Sequence, residues 1–246
     1  MLMRQMGPKP WTVRRSTRDD AAAMAALFNE RCNYLGREGH DTEEALQWHW
    51  DQPTHEHLQT DCLVLDASGG VIAWAGITEA PEPYLKLLFG LVPHPRLHDC
   101  AEFWDLLCSE VQSYARAFAR LAPERSRTIL RTFALLGDSP KREALVRNGF
   151  DLARVQNKMR IDLASPPPSP VWPDGIRLTP FSFERDLAAV VAAYQEAFRD
   201  HWGIVELPHE SEMEKWREEH RWEGSEFDET LWYIAMDGDE AAGFAR

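Results

Sequence analysis

Apolar residues in this chain recur in two rhythms, and the elements follow from where one gives way to the other. Trp11 to Thr17 (WTVRRST) alternates like a short strand. Asp19 or Asp20 then stands where it can cap a helix, AAAMAALFNERCNY, with Ala22, Ala26 and Cys32 spaced along it. After the Gly36–Gly39 turn, Thr42 to Gln52 predicts a second helix with Leu46 and Trp50 on one face. Cys62–Asp66 and Val71–Thr78 read as strands joined by a Ser68-Gly69-Gly70 hairpin turn. A continuous apolar run, Leu85 to Val92, predicts a buried strand that breaks at Pro93 and Pro95 and opens a long helix. Phe103, Leu107, Val111, Tyr114, Phe118 and Leu121 make one stripe on that helix. Arg127 to Leu136 alternates as a strand, and Asp138 to Asn148 forms a short helix stopped by Gly149. Asp151 to Leu163 is expected to add one or two strands.

Ser165 to Gly175 (SPPPSPVWPDG) is a proline-rich spacer, and beyond it the pattern starts again. VRRST at 13–17 matches IRLTP at 176–180, and AAAMAALFN at 21–29 matches LAAVVAAYQ at 187–195. LVLD at 63–66 and IAWA at 72–75 match YIAMD at 233–237 and AGFA at 242–245. The repeat unit is a whole domain, far longer than a solenoid period. The second copy reaches only its third strand by Arg246, which leaves a sheet edge unpaired, so the sequence is expected to be a piece of a longer protein.

Composition narrows the class. Of 246 residues, 44% are hydrophobic, with 10 Trp and 11 Phe, enough for a packed core. A net charge of −13 argues against nucleic-acid and anionic-membrane partners, which reward clustered Lys and Arg. Cys32, Cys62, Cys100 and Cys108 form no C-x-x-C pair and read as reduced thiols, which points to the cytoplasm. No apolar run approaches a membrane span.

The strand–turn–helix at 85–107 is the stretch with chemical potential. A tight turn into a helix leaves backbone N–H groups unpaired at the positive end of the helix dipole, where a phosphate can sit. No G-x-S-x-G elbow, Walker-type loop or G-x-G-x-x-G fingerprint occurs. His49, His55, His57 and Cys62, or His94, His98 and Cys100, do not match a four-ligand zinc spacing, so no metal is expected. The acidic run Glu210 to Glu229 reads as a solvated helix with Met213, Trp216 and His220 inward, or as an attractor for a cationic amine.

The order of elements, with LVPHPRLHD before the long helix and ALVRNGF at 144–150, resembles the GCN5-related N-acetyltransferase family. EAFRDHWG at 196–203 and LWYIAMDGDEAAGFAR at 231–246 look like the catalytic half of tandem acetyltransferases similar to mycothiol synthase. The resemblance implies an α/β (α+β) fold, a mixed, mostly antiparallel central sheet flanked by helices. It divides the chain into a complete but degenerate domain at 11–164, a linker at 165–175, and the first part of a second domain at 176–246. It also implies acetyl-CoA as co-substrate, direct attack by a small-molecule or peptide amine, and a monomer with a pseudo-symmetric domain pair. The family's cofactor turn, V-x-P-x-x-R-x-x-G-x-G/A, maps here onto Leu91, Val92, His98, Asp99, Ala101 and Phe103. His98 replaces the Arg, Ala101 and Phe103 replace the glycines, and Asp99 and Glu102 add negative charge where an anion would bind. The Phe103 ring is expected to obstruct the phosphate backbone site. Leu145 stands in place of the late-helix Tyr, and Asp138 in place of the usual Asn. By this reading the first domain keeps the fold without the catalysis, and the second copy's cofactor loop and late helix are expected past Arg246, so acetyl transfer is expected of a longer parent and not of this chain alone; no catalytic acid or base is assigned. In the second domain, Asp200, His201, Trp202 and Glu206 are acceptor-pocket candidates; they read equally as a helix end with a packed Trp. The rival reading is a non-catalytic pseudo-acetyltransferase that binds a ligand or partner.

Overall fold

The computed structural model describes residues 11–37, 39–51, 61–202, 204, 206–223 and 228–245. The chain divides into two compact units, 1–155 and 156–246.

The first unit is a five-stranded sheet in the order β1-β2-β3-β4-β5. β1 (Trp11–Arg15), β2 (Cys62–Asp66), β3 (Val71–Glu79) and β4 (Lys86–Pro93) pair antiparallel, while β5 (Ile129–Arg131) runs parallel to β4. Helices α1 (Ala21–Tyr34) and α2 (Glu43–Asp51) supply Ala21, Met24, Leu27 and Trp50 to a core with Leu63 and Trp74. Helices α3 (Ala101–Ala119) and α4 (Ser139–Arg147) pack on a second core containing Val64, Ala73, Leu87 and Phe89. Alternate residues of β3 and β4 thus serve different helix layers, as the two-residue period of a strand requires.

Local chemistry sets the helix starts. The Asp20 carboxylate accepts from the Thr17 backbone N–H at 2.8 Å and is held by both guanidinium nitrogens of Arg14 at 2.7 and 2.6 Å. That pairing with Arg14 holds Asp20 down to about 2. The buried stripe of α1 is Ala21, Met24, Ala25, Leu27 and Arg31, whereas Ala22 and Ala26 face out. Gly149 closes α4 at φ +83°, a left-handed conformation that a side chain would strain.

Two strand expectations fail in whole or in part. β5 has only three residues, and Phe133 and Leu135 beyond it are exposed. Residues 151–163 form no strand, and Leu152, Met159 and Ile161 lie in solvent. Alternation marks a segment able to pair, but a strand exists only where a neighbour takes its hydrogen bonds. Leu121 also drops out of the long-helix stripe, because α3 ends at Ala119 and leaves it exposed.

The second unit is a three-stranded antiparallel sheet, β6-β7-β8 (Ile176–Pro180, Tyr233–Asp237, Glu240–Ala245). Helices α5 (Phe183–Ala197) and α6 (His209–Glu223) cover it through Leu187, Val190, Val191, Met213 and Trp216. This unit repeats the first half of unit one at the level of register. Trp11 pairs with Asp66 as Ile176 pairs with Asp237, and Arg15 with Cys62 as Pro180 with Tyr233. The irregularity at Val64/Leu65 recurs at Ala235/Met236. IAWA and AGFA therefore coincide as the sequence pattern predicts, but β1 and β6 are offset by two residues from the match of Val13 with Ile176. A two-residue slip leaves every side chain on its own face, so the alternation cannot detect it.

Candidate functional site

β4 ends at Pro93, a 3-10 turn spans Pro95–Leu97, and α3 begins at Ala101 with Cys100 as its N-cap. The Cys100 side chain makes no capping bond; the Phe103 and Trp104 amides close on the Cys100 carbonyl at 3.1 and 3.2 Å. Ala101, Asp99 and Glu102 lie exposed at this helix start. Leu91 is buried in the core, and Val92 is half-buried on the α1–α2 side. Phe103 does not stand at the turn. Its ring is fully buried, edge-on to Trp11 at 5.2 Å, because the third helical position of α3 faces the sheet. Any obstruction of a phosphate at this turn must come from elsewhere.

Beneath the turn lies a buried polar network. Arg31, on the last turn of α1, donates to Asp138 at 2.7 Å, with side chains 6% and 3% exposed. Its other terminal nitrogen lies 2.9 Å from His98 Nδ1. Arginine only donates, so His98 accepts at Nδ1 and carries its proton on Nε2. The Trp104 indole donates to the His98 carbonyl at 2.7 Å, and the Arg31 guanidinium lies over the Trp104 and Tyr34 rings at 5.5 and 5.6 Å. Asp138 also caps α4, accepting from the Lys141 amide at 3.4 Å. Burial pushes the Lys141 amine down to about 8, against the opposing pull of Asp138. The Arg31 guanidinium below the turn is thus already paired with a buried carboxylate. A pocket of about 390 Å³ opens beside this network, lined by Tyr34, Leu35, His98, Leu135, Gly137 and Asp138.

On the α1–α2 side of the same sheet, Trp74 lies flat across its neighbours. A Cβ at Gly76 or Gly90 would collide with its ring. Asp61 completes this packing. It is 2% exposed, Oδ1 lacks a hydrogen bond of good geometry, and burial pushes the carboxyl up to about 7 against the nearby Trp74 and Trp50 indoles. Gly76 makes room for the Asp61 carboxyl as well.

Sequence reasoning missed Arg31 and Tyr34, and named Asp138 only for its departure from Asn. One signal was available. Arg31 continues the spacing of Met24 and Leu27, so a charge occupies a core position of α1 and must have a partner.

In the second unit, Asp200, His201, Trp202 and Glu206 follow α5 and are all exposed. The His201 ring packs edge-on to Phe198 at 5.4 Å, and its amide closes on the Phe198 carbonyl at 2.9 Å. Gln195 bridges the loop, donating to Leu207 O at 2.9 Å and meeting His209 Nδ1 at 2.9 Å. The structure brings the four candidates onto one connection without converging their polar atoms in a described pocket. Of the histidines weighed as metal ligands, His94 pairs with Glu30 at 3.0 Å and His98 with Arg31, while His55 and His57 lie outside the described residues. No helix among the described residues is long and apolar enough to cross a membrane.

No protein-family model matches the sequence, and no curated protein matches it. Among solved structures, the chain is similar to a GCN5-related N-acetyltransferase from Sphaerobacter thermophilus. The two share 22% identity at a TM-score of 0.71, over 96% of this chain and 71% of that one. It is also similar to spermidine N-acetyltransferase from Vibrio cholerae in complex with CoA and spermine, at 16% identity and a TM-score of 0.48, over 63% of this chain and 89% of that one. The chain has the fold of the GCN5-related N-acetyltransferases.

Proposed function

We propose that the protein serves acetyl transfer from acetyl-CoA to an amine of a small molecule or peptide, with the first unit no longer catalytic. The observation that carries this reading is the likeness to an N-acetyltransferase along 96% of the chain. In such a reaction the amine attacks the thioester carbonyl directly, loses its proton to a base or a water chain, and the thiolate leaves as it is protonated. The residues of the first unit do not fit the cofactor's diphosphate. Arg31 is spent on Asp138, and Asp99 and Glu102 repel an anion at the helix start. No step is therefore assigned there. Chemistry belongs to the second copy, where Asp200, His201, Trp202 and Glu206 are the acceptor-side residues, in a tandem arrangement of the mycothiol-synthase type.

The test is CoA release from acetyl-CoA with a panel of primary amines, for a protein carrying a complete second copy, as the wild type, as His98→Ala and as the double variant Asp200→Asn/His201→Ala. Turnover that survives His98→Ala but not the double variant is expected. Turnover dependent on His98 overturns the assignment. The second reading, a ligand- or partner-binding pseudo-acetyltransferase, is favoured for the first unit by the Arg31–Asp138 pair. It prevails for the whole protein if no amine is acetylated and acetyl-CoA gives no saturable thermal stabilisation.

A further inference from the structure

Helix α2 is held to the sheet at a single residue. Trp50 is its one buried side chain, with Leu46 half-buried beside it, whereas α1, packed on the same face, buries five. At the same end of α2, Arg18 pairs with Asp51 at 2.5 Å, but both side chains are exposed and such a pair contributes little. A helix of nine residues has almost no stability of its own, so α2 persists only while Trp50 is seated. The seat is polar. Asp61 lies two residues before Leu63 and therefore on its face of the sheet, the face of Trp50 and Trp74. Both indoles lie beside the Asp61 carboxyl. The Ser16 amide donates to the Asp61 carbonyl at 3.2 Å. Ser16 Oγ, Asp61 Oδ1 and Trp74 Nε1 are all buried with no hydrogen-bond partner among the described residues. Gly76 adds no room, since a Cβ there would strike both the Asp61 carboxyl and the Trp74 ring. A carboxyl so enclosed is tolerated when neutral and costly when ionised.

We propose that Asp61 is a proton-operated latch on α2. Protonated, it stays sealed beneath Trp50 and α2 is seated. Ionised, it gives its proton to solvent and takes up water, and Trp50 and α2 leave the sheet. The ionised group gains hydration only if something moves, and α2 is the element that yields most easily. Strand β2 is hydrogen-bonded to β1 and β3 on its two sides, and α1 would have to expose five residues. Release of α2 uncovers the Leu63 and Trp74 side chains that it helps to bury. The surrounding charges do not offset the burial. Arg15 on β1 favours the ionised form, but burial outweighs it and both indoles and pushes the carboxyl up to about 7. Arg14 is paired with Asp20 at the start of α1, and Arg31 further along α1 with Asp138. From β3 the neighbours are Trp74 and Gly76, which carry no charge. The Cys62 thiol belongs to the core on the other face and is pushed up to about 12, so it stays neutral in this range. His49, next to Trp50 on α2, is of the residue type that titrates near neutrality, and its effect is separated by a variant.

Hydrogen–deuterium exchange of the whole chain at pH 6 and pH 8.5, corrected for the intrinsic pH dependence of amide exchange, tests the latch. With the carboxyl at about 7, opening of Glu43–Asp51 is expected to rise about thirtyfold between the two conditions, while α1 and α3 keep their protection. Asp61→Asn keeps the shape of the group and cannot ionise, so α2 should be equally protected at both pH values. His49→Gln should leave the thirtyfold change in place. The proposal is overturned if α2 of the wild type exchanges alike at both pH values, or if α1 and α3 loosen as much as α2. It is equally overturned if the change persists in Asp61→Asn or disappears in His49→Gln. The first two outcomes are read on the wild type alone, so the test stands even where a variant fails to fold. Each of them leaves the acetyl-transfer reading intact.

Discussion

The two copies of the β-α-α-β-β motif solve the same packing problem with different side chains. Ser16 N donates to Asp61 O at 3.2 Å in the first unit; Phe181 N donates to Trp232 O at 3.1 Å at the matching point of the second. The backbone is the same, yet one copy places a carboxyl there and the other an indole. Trp232 packs on Phe181 at 5.0 Å and edge-on to Trp216, an apolar arrangement indifferent to pH. Asp61 is enclosed by Trp50, Trp74 and Gly76 with one oxygen unsatisfied. Likewise Trp74 in the first unit matches Phe244 in the second, and the larger ring needs two glycines beside it. Backbone pairing therefore defines the motif, while the side chains on it are free to make one copy charged and tightly filled and the other plainly hydrophobic.

Truncating the matched aromatics should separate the copies most. Trp74→Ala empties a buried site and is expected to cost about 3–5 kcal/mol. Phe244→Ala, at a half-buried position, should cost clearly less. Urea unfolding followed separately in each unit checks this, and equal costs would break the comparison.

The next effect is one of pH. Burial pushes the Asp61 carboxyl from the ordinary carboxylate range up to about 7. The folded state therefore binds the proton more tightly, so its contribution is full below the unfolded value and is lost as pH rises toward 7. The loss has a ceiling on the order of 4 kcal/mol. Asp61→Asn should flatten the urea midpoint of the first unit between pH 5 and 8. A slope unchanged in that variant would show that another group carries it.

The smallest effect should be shared. Asp20 accepts from the Thr17 N–H at 2.8 Å, and Asp186 accepts from the Ser182 N–H at 2.8 Å, one helix start in each copy. Asp20→Ala and Asp186→Ala are each expected to cost about 1 kcal/mol. Both carboxyl groups are held below the usual range, chiefly by Arg14 and Arg185, so this stability is present above the unfolded pKa and lost as pH falls through the folded one. The sign is opposite to that of Asp61, and an acid titration monitored by fluorescence distinguishes them.

Much of the fold was legible. The hairpin at Ser68-Gly69-Gly70 forms because Asp66 accepts from the Ser68 and Gly70 amides at 3.0 and 3.1 Å, a local interaction that sequence reports directly. The repeat was legible for a similar reason: Ala21, Met24 and Ala25 match Leu187, Val190 and Val191 in spacing and in burial. The candidate site was less so. His98 stands out by position, but its role depends on Arg31 and Asp138, 67 and 107 residues from their respective partners. Phe103 illustrates the converse: alignment to a motif places a residue along the chain, while helix phase decides which way its ring points.

By itself the sequence determined what depends on neighbours within a few residues. Caps, turns, the stripe of each helix, the alternation of each strand and the recurrence of a whole motif all belong here, because they are set by short-range hydrogen bonds and by the periods of the two backbones. Tertiary structure decided what depends on partners far away in the chain. It cut β5 to three residues, left 151–163 without a strand, turned Phe103 into the core and joined Arg31 to Asp138. Pairing and burial are contests among distant segments, and only the folded chain shows which contacts win.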